Sequence, residues 1–151
     1  MLALLLLAGV ISTRPVPQAV PRLLSACNLV TRGDLQFAAG QRFGEPSRSE
    51  SGAASVCDYQ SGRGQIRVAI QRCEGKLDLC GEVSALQSEI EGSSARAAAS
   101  FGPQAFFLEI AGAGTQLHIV RGNAYLMVSV LGVPGSEQVA ERLARTALDR
   151  L

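Results

Sequence analysis

Four cysteines and a single histidine carry most of the chemistry this chain could do. Cys27, Cys57, Cys73 and Cys80 are separated by 29, 15 and 6 residues. That spacing lacks the close Cys-x2-Cys knuckles of a zinc site, and one histidine does not complete a ligand set. An even cysteine count in an exported chain reads as disulfides. Pairing Cys27–Cys57 and Cys73–Cys80 links neighbouring elements. In the loop-entropy model the two bridges contribute about 3.7 and about 2.5 kcal/mol. The alternatives are four buried thiols, or a lipid on Cys27, because Leu24-Ser25-Ala26-Cys27 matches the short pattern before a lipidated cysteine. Against the lipid, Arg14, Pro15, Pro17, Pro21 and Arg22 separate that pattern from the apolar leader.

His118 must serve any Ser/His/Asp or Cys/His mechanism, and it falls mid-strand between Leu117 and Ile119. Catalytic groups favour loops and strand ends, so a structural histidine is the default. Gly112-Ala113-Gly114 joins two strands and lacks the lysine of a phosphate loop. Asp58, Asp78, Glu82, Glu89, Glu91 and Glu109 show no paired spacing for acid/base work. The expectation is no catalytic residue, no metal and no cofactor, with a minor hydrolase using His118 as the alternative.

The context for this chemistry comes from the N-terminus. Residues 1–11 form an uncharged apolar run, long enough for an export-signal core and too short to span a bilayer. No Lys or Arg precedes it, as expected if translation starts further upstream. We therefore expect a signal-peptide core over 1–12, a proline-rich linker over 13–26 and one domain over 27–151. The location expected is extracytoplasmic, in the periplasm or secreted, with membrane contact only through the leader or a lipid anchor. Fourteen basic against thirteen acidic residues give a net charge of +1, which excludes a nucleic-acid surface. Lys76 stands alone among thirteen arginines, a coding bias rather than a function.

The elements follow from local signals. Thr31 and Asp34 form a box-like helix start, Leu35, Ala38 and Ala39 its apolar face, and Gly40 its exit. Residues 41–54 read as a loop. Ala54–Gln60 and Gln65–Arg72 make a hairpin, with Ile66, Val68 and Ile70 alternating. Asp78 opens a second helix carrying Leu79, Val83, Leu86 and Ile90, with Cys80 in its first turn. Strands follow over 104–110, 115–121 and 124–131, with Gly122-Asn123 as a tight turn. Ser136 caps a final helix striped by Val139, Leu143 and Ala147. The expected fold is α+β: an antiparallel five-stranded sheet with helices on one face, in the order α-ββ-α-βββ-α.

If Phe106, Leu108 and Ile110 face the helices, then Arg67, Gln71, Phe107, Glu109, Gln116, His118, Val120, Tyr125, Met127 and Ser129 face away. This mixture is apolar for a wet surface and marks a candidate binding face for a protein, a small ligand or a second copy.

The stretch Cys27-Asn28-Leu29-Val30-Thr31, a short helix and then Cys57-Asp58-Tyr59 resembles small exported bacterial envelope domains of unknown function, often lipoproteins. Those domains show a Cys-x-Leu-Leu-Thr start and a later Cys-x-Tyr or Cys-x-Trp. The resemblance implies a Cys27–Cys57 bridge and an envelope location, and it carries no catalytic residue. The function expected is a non-enzymatic envelope domain binding a protein or small ligand, with a secreted inhibitor or chaperone-like factor as a further alternative.

Overall fold

A computed structural model describes residues 24–52, 54–73 and 95–151. The chain opens with a one-turn helix α1, Ala26–Leu29, and continues into α2, Arg32–Ala39. The start of α2 is the box read from the sequence. Asp34 N–H donates to Thr31 Oγ1 at 3.4 Å, and Thr31 N–H donates to the Asp34 carboxylate at 2.7 Å. Gly40 ends the helix in the left-handed region at φ 68°.

Seven strands follow: β1 Ser47–Ser51, β2 Ala54–Ser61, β3 Gly64–Arg72, β4 Ala95–Ala97, β5 Ala105–Ile110, β6 Gly114–Arg121 and β7 Ala124–Leu131. The last helix, α3, is Ser136–Asp149. The strands form one antiparallel sheet in the order β1-β2-β3-β7-β6-β5-β4. It consists of two sequential meanders joined where β3 pairs with β7. Between β5 and β6, Gly114 sits at φ 152°, and a Cβ there would lie 2.1 Å from the Val130 carbonyl oxygen. Only glycine allows that approach.

Among the described residues, α3 packs against β6 and β7 and α1 against β2 and β3 on the same side of the sheet, while α2 packs on α3. The core row beneath them runs Cys57–Val68–Val128–Leu117–Phe107 across five strands, each residue at most 4 % exposed. In α3, Val139, Ala140, Leu143, Ala144 and Ala147 form the buried stripe that the 3.6-residue period predicts.

Among the described residues the sheet has seven strands, which corrects the five-stranded α-ββ-α-βββ-α arrangement. The expected loop 41–54 contains β1, whose Ser-Arg-Ser-Glu-Ser sequence is exposed throughout. An edge strand wet on both faces has no alternation to detect; its identity comes from backbone pairing with β2. At three residues, β4 is too short to show a period. The expected helix 78–90 lies outside the described residues.

A second correction concerns phase. Phe107 pairs with Leu117 on the helix side, whereas Phe106 pairs with His118 and puts Leu108 and Ile110 on the far side with it. Ala105-Phe106-Phe107-Leu108 is apolar at every position, so alternation alone does not set the face, and a one-residue slip inverts it. Finally, Ser136 is the first residue of α3 and not its cap. Gly135 holds that place at φ 64°, and the Ser136 hydroxyl lies 2.9 Å from Thr115 Oγ1.

Candidate functional site

The N-terminal segment is held to the sheet by one covalent bond and several polar ones. Cys27 in α1 bonds to Cys57 in β2 with a Cα–Cα distance of 5.1 Å and a sequence separation of 30. Ala26 N–H donates to Ser55 Oγ at 3.0 Å, and the Tyr59 hydroxyl donates to the Val30 carbonyl. Arg150 binds both Asp34 oxygens, at 2.6 and 3.1 Å, and the Leu29 carbonyl at 2.9 Å. The Arg150 hydrogen bond, with those from Thr31, holds the Asp34 carboxyl down at about 2. Cys73 is also disulfide-bonded; the expected bridge to Cys80 lies outside the described residues. A sulfur in a disulfide carries no lipid, so the Cys27–Cys57 bridge and a Cys27 anchor exclude each other.

Five of the seven residues proposed for the binding face share the side away from the helices: Arg67, Gln71, His118, Tyr125 and Met127. Gln116, Val120 and Ser129 join them. Phe107 and Glu109 do not. Phe107 is buried on the helix side under the Arg96 guanidinium, 4.8 Å from its ring centroid. Glu109 turns toward the first turn of α3. Phe106, absent from the expected set, takes the central place. It is 1 % exposed and stacks on His118 with centroids 4.7 Å apart and planes 2° from parallel.

Around His118 the polar groups form one chain. The Tyr125 hydroxyl donates to Nδ1 across 2.8 Å. Nε2–H donates to Gln116 Oε1 at 3.2 Å, and the Gln116 amide donates to Ser129 Oγ at 3.4 Å. The tautomer follows from the network, because Gln116 Oε1 can only accept. Burial pushes the His118 imidazole down to about 4 and the Tyr125 phenol up to about 12. Both move away from neutral pH, the opposite of what a proton-transfer catalyst needs. Both ring nitrogens are already engaged. Further along the same face Arg67 grips Asp58 with two bonds, at 2.7 and 3.2 Å, which raises the guanidinium pKa.

A cavity lies elsewhere, at the end of the sheet beneath the last turn of α3. Its volume is about 350 Å³, and its apolar lining comes from Leu24, Ile70, Leu148 and Leu151. Arg72 and Arg121 stand on either side of Ala124 in one cross-strand row on the helix side. Two strand spacings put their backbones about 10 Å apart. A neighbouring cavity of about 550 Å³ shares Arg121 and Leu148. There Arg145 lies over Phe101 at 4.7 Å, and Asp149 supplies a carboxylate.

The comparisons with known proteins match nothing: no family model, no curated protein and no solved structure.

The arginine pair escapes a reading of the sequence because 49 positions separate Arg72 from Arg121. The usable signal is the Gly122-Asn123 turn. It places Arg121 opposite Ala124, and β3 pairing then brings Arg72 to the other flank. Among the described residues no cluster of three or more His, Cys, Asp or Glu could hold a metal ion, and no helix is long and apolar enough to cross a membrane.

Proposed function

We propose that this chain is an extracytoplasmic, disulfide-stabilised binding domain of the cell envelope that takes a small anionic amphiphile in the Arg72–Arg121 cavity. The Cys27–Cys57 bridge supports the compartment, since such bonds form and persist where thiols are oxidised. The observation that carries the binding reading is Arg121, set opposite Ala124 beside an apolar floor of Leu24, Ile70, Leu148 and Leu151. Guanidinium forks match carboxylate and phosphate oxygens, and leucine and isoleucine walls take a hydrocarbon tail. The volume falls at the lower end of ligand sites, about 300–1,000 Å³, so a short chain fits and a whole lipid does not.

Calorimetric titration of the oxidised protein with decanoate, decanol and acetate tests this. Saturable binding of decanoate, with decanol and acetate each at least about tenfold weaker, is the expected result. Replacing Arg121 by Met weakens decanoate about tenfold or more, the loss of one charge-assisted bond. Equal binding of decanol and decanoate, or no saturation by decanoate, overturns the site. Thiol titration of the protein isolated from its native compartment tests the location separately; free Cys27 and Cys57 thiols would overturn it.

A further inference from the structure

The two edges of the sheet are unlike. β4 has three residues, leads into a single 3-10 turn (Ala99–Phe101), and is pinned to α3 by the Arg96–Glu137 ion pair. β1 has five residues, all exposed, without proline or lysine. Its outer edge therefore presents backbone N–H and C=O groups able to receive another strand.

The side chains of β1 favour one arrangement over its alternatives. Arg48 pairs with Cys57 and Glu50 with Ser55, so both charges project on the helix side, while Ser47, Ser49 and Ser51 project on the other. Closed two-fold pairing of β1 with β1 of a second copy must be antiparallel and centred on a residue. Centring on Arg48 opposes two arginines, and centring on Glu50 opposes two glutamates. Centring on Ser49 sets Arg48 of each copy opposite Glu50 of the other, twice, with serine facing serine between them. Directly opposite residues in such a pair have Cβ atoms about 5 Å apart, within reach of an Arg–Glu ion pair. Neither Arg48 nor Glu50 has a hydrogen-bond or ion-pair partner among the described residues. Edge strands that resist pairing commonly carry like charges or lysine. This one carries opposite charges in self-complementary order.

We propose that β1 is a self-association edge, at which two copies of this chain join their sheets antiparallel about Ser49 through reciprocal Arg48–Glu50 pairs. Five residues of edge make a small interface, so the dimer is weak and rapidly exchanging. Its ion pairs are exposed, and salt loosens it.

Sedimentation equilibrium over a concentration series tests the proposal, with circular dichroism confirming that each variant is folded. The wild-type mass rises with concentration toward twice the monomer, and 0.5 M salt reduces the rise. R48E alone opposes glutamates, and E50R alone opposes arginines; each weakens association by about tenfold or more. R48E/E50R restores it to within about threefold, and an equimolar mixture of R48E with E50R associates although neither does alone. A monomer at every concentration, single reversals without effect, or a failure of the double variant to recover overturns the proposal. None of these substitutions touches the Arg72–Arg121 cavity, so decanoate binding stands or falls independently.

Discussion

Two adjacent rows cross the same sheet one residue apart, and they are built on different physics. On the helix side, Cys57–Val68–Val128–Leu117–Phe107 is apolar from end to end. On the far side, Val56–Ala69–Met127–His118–Phe106 places an imidazole among hydrocarbon and satisfies it with Tyr125 and Gln116. The first row draws its stability from filled volume, which protons do not alter. The second depends on the imidazole staying neutral. Burial therefore says little about how a face responds to conditions; the polar groups within it decide that.

Four measurements sharpen or break the contrast. Removing the covalent tie of the helix side with C27A/C57A lowers stability by about 3.7 kcal/mol on the loop-entropy model, seen as a lower urea midpoint. Leu117→Ala opens a cavity in the apolar row and costs about 3 kcal/mol, equally at pH 7 and pH 5.

The His118 imidazole titrates at about 4 when folded, against an ordinary value of 6.5. Between those values the unfolded chain binds the proton that the folded chain refuses, so stability falls as pH drops and rises again with pH. His118 thus contributes fully above about pH 6.5 and loses up to about 3 kcal/mol by pH 4. In H118Q that slope flattens, leaving the loss from Asp34, which begins near 3.8 and runs down to about 2. A wild-type stability that is flat from pH 7 to pH 4.5 would break the contrast outright. Tyr125→Phe removes the donor to Nδ1 and costs about 1 kcal/mol, the smallest effect and one confined to the far side.

Legibility in the sequence tracks how local each determinant is. The Thr31–Asp34 box, the Gly40 exit, the Gly122-Asn123 turn and the α3 stripe each depend on neighbours a few residues away, and each stands in the fold as read. The Cys27–Cys57 pairing stands because α1 packs directly on β2. β1 was invisible because Ser47–Ser51 buries nothing. The expected faces of Phe106 and Phe107 are inverted in the fold because both residues are buried and only pairing with β6 chooses between them. The Arg72–Arg121 pair needed two registers at once. Distance along the chain, more than chemistry, marks what was missed.

The ladder between β3 and β7 has a consequence for synthesis. Until residues 124–131 exist, the flank of β3 carrying Ile66, Val68 and Ile70 has no neighbour to zip against. A growing polypeptide thus carries a sticky, half-finished margin until residues 124–131 have been translated. Chains cut short before Ala124 should clump, whereas those that lose only the final helix keep every rung and fail more gently.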